Sequence, residues 1–162
     1  RRPLSDPAFV PFLGLAAELA IPVVVHCGRW TEIAGFGIAL DVAASAPDVR
    51  FILGHLGGDS PRLVDCCTAR VAAEDPPNVF LGTESIREPW LLELALERIG
   101  PARLVFGSDY NLNHPEPFRR LVEILDLADA DRELILAGNI DGLFPPRHRF
   151  GRTAVAPHGV EP

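Results

Sequence analysis

Four short runs of consecutive apolar residues punctuate the chain: Val23-Val24-Val25, Phe51-Ile52-Leu53, Val79-Phe80-Leu81 and Leu104-Val105-Phe106. Runs of this length without polar alternation read as strands buried on both faces. Longer stretches with apolar residues at helical spacing lie between them. Ser5-Asp6-Pro7 is a helix-start signal, and residues 9–19 predict a helix whose regular part Pro11 delays. A second helix is expected over 33–46, with Ile38, Val42 and Ala46 on one face. Asp59-Ser60-Pro61 starts another by the same device, and Pro76-Pro77 excludes its continuation. Pro89 opens a helix with Leu92, Leu96 and Ile99 on its apolar face, closed by Gly100-Pro101. After the last strand come a loop through His114-Pro115, a helix to about Leu127, and short helices over 132–137 and 139–144. Periodicity ceases after Pro145-Pro146, so residues 1–144 read as one unit and 145–162 as a mobile tail.

Strands alternating with helices imply an α/β architecture of parallel strands joined by right-handed crossovers. The strand starts, Val23, Phe51, Val79 and Leu104, are 28, 28 and 25 residues apart, a rhythm of structure without repetition of sequence. In such sheets ligands bind beyond the strands' carboxyl ends. His26, His55, Glu84 and Asp109 all fall there. If the strands are neighbours, His26, His55 and Asp109 converge at one end of one sheet.

Composition narrows the partners. With 162 residues, 48% hydrophobic and 23% charged, the chain fits one soluble globular unit. The net charge of −7 argues against nucleic acid or an anionic membrane as partner, and no apolar run is long enough to span a bilayer. Three cysteines and no secretory leader point to a reducing cytoplasm, with Cys66 and Cys67 read as small buried side chains. The sequence has no methionine, which suggests a processed product or a piece of something longer.

Each candidate has a plainer reading. His26 can be a satisfied histidine at a strand end, His55 the tip of a tight turn among glycines, and Asp109 a cap on the turn after Ser108. Arg29 and Trp30 follow the first strand and are suited to an anionic or aromatic substrate, or to a solvated loop. Glu84 is a candidate pocket residue or turn former. His114 is a weaker substrate-binding candidate, with a plain loop role favoured. Gly138-Asn139 reads as helix termination followed by a cap.

His26-Cys27-Gly28, Gly54-His55-Leu56-Gly57-Gly58, Phe106-Gly107-Ser108-Asp109-Tyr110 and Gly138-Asn139-Ile140 resemble, in order and spacing, the second half of an amidohydrolase-related metal-dependent hydrolase. The resemblance covers about residues 7–144, and the family branch also contains aromatic-acid decarboxylases. It implies strands five to eight of a TIM-type (β/α)8 barrel. It also implies His26 as the fifth-strand metal ligand, His55 as the sixth-strand histidine that contacts metal or substrate and moves protons, and Asp109 as the eighth-strand carboxylate. The first-strand His-X-His pair of that family has no counterpart in this sequence.

The implied cofactor is a divalent metal, zinc in the first instance, since zinc takes imidazole nitrogen and carboxylate oxygen. The implied activity is hydrolysis of a small carboxylate-bearing or cyclic substrate by metal-activated water, with Asp109 taking a proton from the water and His55 polarising or protonating the substrate. Non-oxidative decarboxylation on the same scaffold is the alternative, and a non-catalytic half-barrel is a third. Half a barrel would leave strand edges unpaired at 23–26 and 104–106 and one sheet face open to water, so the isolated chain is expected to be either poorly packed or self-associated.

Overall fold

The computed structural model describes residues 2–28 and 30–146. Arg29 and most of the expected tail, including His148 and His158, lie outside the described residues. Asp6 Oδ1 accepts the Ala8 N–H at 2.8 Å and starts a 3-10 turn, Pro7–Phe9, that leads into α1 (Val10–Leu19). β1 (Val23–Val25) is followed by α2 (Thr31–Ala34) and α3 (Phe36–Ser45). β2 (Phe51–Leu53) passes through a tight turn, Gly54–Gly57, to α4 (Pro61–Glu74). β3 (Val79–Gly82) leads to α5 (Pro89–Ile99), and β4 (Leu104–Val105) to α6 (Pro115–Glu123). The last segment is α7 (Asp129–Glu133), a π-helical turn over Leu134–Gly138, and α8 (Asn139–Leu143).

The sheet has the order β1-β2-β3-β4, all parallel. Val25, Leu53, Leu81 and Leu104 lie in one register row and Val24, Ile52 and Phe80 in the next. The first row packs against the helices, with Phe51, Val64, Leu92 and Ala95 in the same buried core. Each fully buried side chain of this size stabilises the fold by roughly 1.5–3 kcal/mol. On the opposite face Ile52 and Val105 are buried together with Leu143, and Phe80 and Ile140 pack against them.

Several expectations are corrected. The helix expected over 33–46 is two helices, because Gly35 is extended (φ −61°, ψ 153°) and any Cβ there would lie 2.5 Å from the Thr31 carbonyl oxygen. The segment expected as two short helices is helical from Asp129 through Leu143 without a stop at Gly138-Asn139. Asn139 is itself helical and caps nothing; its Nδ2 donates to the carbonyls of Pro101 (2.8 Å) and Leu104 (2.7 Å). The helix after His114 ends at Glu123, short of Leu127. Ser60 precedes α4 without a side-chain capping bond. Cys67 is buried as expected, but Cys66 points to solvent from the same helix.

The open-edge expectation holds on one side only. β4 is covered: the Phe106 N–H donates to the Ile135 carbonyl at 2.9 Å, and the Leu104 carbonyl is taken by Asn139. β1 pairs only with β2 among the described residues, and Val24 is 63% exposed. The sheet face expected to be open is partly closed by α8, which brings Leu143 over Ile52 and Val105. No helix among the described residues is long and apolar enough to cross a membrane.

Candidate active site

Each strand hands a polar residue to the same end of the sheet within a few positions of its last residue. His26 follows β1 directly and is exposed. His55 follows β2 in the left-handed region (φ 59°), as does Leu56 (φ 52°). Ser85 after β3 (φ 58°) and Asp109 after β4 (φ 64°) share that conformation. Non-glycine residues held there cost about 1–3 kcal/mol each and persist only where their surroundings over-determine them. At the β2 turn that support is visible. Leu56 is fully buried. The next residue must be glycine: Gly57 has φ 88°, and a Cβ there would overlap the Cys67 sulfur.

The two histidines touch. His55 Nε2 lies 3.0 Å from His26 Nδ1, with ring centroids 4.7 Å apart and planes near perpendicular at 81°. His55 Nδ1 lies 2.8 Å from the Glu84 carbonyl oxygen. A carbonyl only accepts, so His55 Nδ1 carries a proton. In the neutral ring Nε2 is then bare and accepts from His26 Nδ1–H, which leaves the proton of neutral His26 on Nδ1 and a lone pair on its Nε2. The chain of bonds thus fixes both tautomers from one main-chain oxygen.

Glu84 sits behind His55. Its Oε2 accepts the His55 backbone N–H at 3.3 Å. Glycines wall its carboxylate, for a Cβ at Gly82 or Gly107 would overlap it and one at Gly54 would lie 3.7 Å from Oε2. Burial there pushes the Glu84 carboxyl above its usual range; hydrogen bonds from its own and the His55 backbone and the His55 charge oppose the shift, and Asp109 adds to it. Burial, helped by the Glu84 charge, pushes the neighbouring Cys27 thiol up to about 12, so it stays protonated.

Asp109 is held separately. Its Oδ2 accepts the Ser85 hydroxyl at 3.0 Å, and Asn113 Nδ2 donates to Ser85 Oγ at 2.8 Å. The Asp109 carbonyl accepts the N–H groups of Leu112 and Asn113, closing the turn. Among the described residues, no three of His, Cys, Asp and Glu stand close enough together to hold a metal ion. The structure therefore brings His26 and His55 together and places Asp109 on the same rim without completing a three-donor cluster. The donor types suit a divalent ion, but their number falls short of a complete site.

A cavity of about 550 Å³ opens on this rim, lined among others by His26, Trp30, His55, Asp59, Ile86 and Arg87. Trp30 also lines an apolar groove along β1. Glu84 is not on the cavity wall but supports His55 from behind. His114 caps α6, its Nδ1 accepting the Glu116 N–H at 3.2 Å, which gives it a local structural role. Sequence reasoning missed Ser85, Asn113 and Arg87. Ser85 follows Glu84 at a strand's carboxyl end, which was the available signal, but its left-handed backbone and its bond to Asp109 leave no mark in the sequence.

The chain belongs to the amidohydrolase family, whose model matches residues 1–145. No curated protein matches the sequence. Among solved structures it is similar to 2,6-dihydroxybenzoate decarboxylase from Rhizobium, with a TM-score of 0.70 and 18% identity over 88% of this chain and 56% of that one. A dihydroxybenzoic acid decarboxylase from Polaromonas sp. JS666, holding manganese and the inhibitor 2-nitroresorcinol, gives a TM-score of 0.68 and 18% identity over 88% and 55%. A zinc-bound amidohydrolase from Burkholderia multivorans gives 0.65 and 18% over 86% and 58%. At these identities the likeness establishes the fold. The chain spans little more than half the length of these proteins.

Proposed function

We propose that this chain forms strands five to eight of a (β/α)8 barrel and supplies half of the active site of a metal-dependent hydrolase. Its substrate is a small carboxylate-bearing or cyclic molecule. The observation that carries the reading is the Glu84–His55–His26 chain of hydrogen bonds at the rim of a 550 Å³ cavity, in a chain of the amidohydrolase family. His26, through Nε2, and Asp109 would hold a divalent ion, zinc in our reading, with donors from outside this chain. Such an ion, when bound, lowers the pKa of its water and polarises substrate oxygen.

The chain's own residues then have distinct tasks. His26 offers a lone pair because its proton is committed to His55. His55 lines the cavity, and its Nε2, on release from His26, would be free to take a proton from the substrate and, once protonated, to polarise it or return the proton. Asp109 would supply carboxylate oxygen to the ion, and Ser85 keeps that carboxylate in place. Trp30 and Ile86 give the cavity apolar surface suited to the body of an organic substrate.

Non-oxidative decarboxylation is the second reading, favoured by the decarboxylases among the similar structures. Incubating the metal-loaded, barrel-length protein with lactones, amides and dihydroxybenzoates separates the two. An added water in the product supports the hydrolase, and released carbon dioxide supports the lyase. No turnover together with no bound metal supports a non-catalytic scaffold.

A further inference from the structure

The end of β3 contributes two adjacent residues that reach in opposite directions. Glu84 contacts the end of β2: its carbonyl takes His55 Nδ1–H at 2.8 Å and its Oε2 takes the His55 N–H at 3.3 Å. Ser85 contacts the end of β4: its hydroxyl donates to Asp109 Oδ2 at 3.0 Å and is itself fixed by Asn113. β3 lies between β2 and β4, so only its end can touch both. Three of these residues, His55, Ser85 and Asp109, have left-handed backbones, a conformation the chain does not adopt unaided.

The niche around Glu84 is built for a side chain that reaches back. Gly82 and Gly107 leave the space its carboxylate fills, and a methyl group at either would displace it. Thr83 fastens the β3 end to the β4 end, accepting the Gly107 N–H at 3.1 Å through its hydroxyl. With the carboxylate seated, the Glu84 backbone cannot swing, and its carbonyl stays aimed at His55 Nδ1.

We infer that Glu84-Ser85 is a positioning pair: Glu84 sets the tautomer and direction of His55, and Ser85 sets the carboxylate of Asp109. Glu84 lies behind the cavity wall, and Ser85, which lines the cavity, acts in this pair through its bond to Asp109. The assignment rests on the roles read above for His55 and Asp109, but its primary test does not require turnover.

Nitrogen-15 spectra of the His55 ring in the full chain report the tautomer directly, because a protonated and a bare ring nitrogen resonate far apart. In Glu84→Ala the two signals are expected to move toward each other as the Nδ1–H form loses its exclusive hold. Glu84→Gln keeps an acceptor oxygen of the same reach and is expected to retain the wild-type pattern. Gly82→Ala, which leaves Glu84 in the chain but evicts its carboxylate, should reproduce Glu84→Ala and serves if that variant fails to fold. Ser85→Ala should shift the Asp109 carboxyl carbon-13 signal and leave the His55 ring unchanged. An unaltered His55 ring in Glu84→Ala or Gly82→Ala, or an unaltered Asp109 signal in Ser85→Ala, overturns the corresponding half of the inference. If the protein proves inactive on every substrate, the functional reading fails while these spectra still decide the positioning.

Discussion

The two ends of the sheet use polar side chains in opposite ways. At the amino end, donors serve main-chain carbonyls. Asn78 Nδ2, buried at 6% exposure, reaches the carbonyls of Ala43, Ala46 and Val49. Arg50 donates to Gly142 and Leu143, Arg103 to Pro76 and Val79, and Asn139 to Pro101 and Leu104. At the carboxyl end the polar residues hold one another: His26 with His55, Ser85 with Asp109, Asn113 with Ser85.

The difference follows from chain direction. Crossover helices in a parallel sheet finish near the strands' amino ends, so their orphan carbonyls collect there and call for donors. They begin near the carboxyl ends, where helix dipoles favour negative charge, and carboxylates such as Glu84 and Asp109 lie there. One end is closed by side chains that serve the main chain, whereas at the other side chains also hold one another, His26 with His55 and Ser85 with Asp109. Stability and chemistry are therefore separable, and substitutions at the two ends should fail differently.

The sharpest contrast comes from His55→Asn in the barrel-length protein. Asparagine keeps a hydrogen-bonding end but cannot titrate, so kcat is expected to fall about a hundred- to ten-thousand-fold with little change in unfolding midpoint. Loss of bound metal in step with activity would make His55 a ligand instead. His26→Ala and Asp109→Ala should each lower metal content at limiting metal, measured by elemental analysis, because each removes a donor. Full occupancy in both would dismiss them as ligands.

Asn78→Ala tests the other end. It strips the donor from buried carbonyls and should cost about 1–3 kcal/mol in urea unfolding. The kcat of the folded fraction should not change, since Asn78 lies at the far end of the sheet. A selective loss of turnover at unchanged stability would break the separation of the two ends.

What the sequence disclosed follows the same division. Strand starts at Val23, Phe51, Val79 and Leu104 were legible because an uninterrupted apolar run has few other uses in so short a space. His26, His55 and Asp109 were legible as residues at strand ends. Their contacts were not, because pairing His55 with His26 and seating Glu84 among Gly54, Gly82 and Gly107 depend on which strands are neighbours. Asn139 was misread for a related reason: beside a glycine it looks like a local cap, but its partners lie 35 and 38 residues away. The break at Gly35 was hidden because apolar spacing continues across it.

The smallest expected effect concerns the strain kept at the carboxyl end. Burial raises the Glu84 carboxyl above its ordinary value of 4.5, so the folded chain binds its proton more tightly than the unfolded chain does. The contribution of this group to stability is then fully present below the ordinary value, falls as pH rises through the window up to the raised value, and stays at its lower level above it. Glu84→Gln removes the titration while keeping size and an acceptor for the His55 N–H. The stability of the variant relative to the wild type should therefore rise as pH climbs above the ordinary value of 4.5 and through the raised one. Urea midpoints of both proteins across that range measure the difference and cancel the other carboxylates, including the exposed Glu116, which Arg119 shifts the opposite way. A gap between the two proteins that is flat with pH would mean that Glu84 ionises as freely in the fold as in water. One that shrinks toward neutrality would mean that the charged form is favoured there, with His55 outweighing the burial.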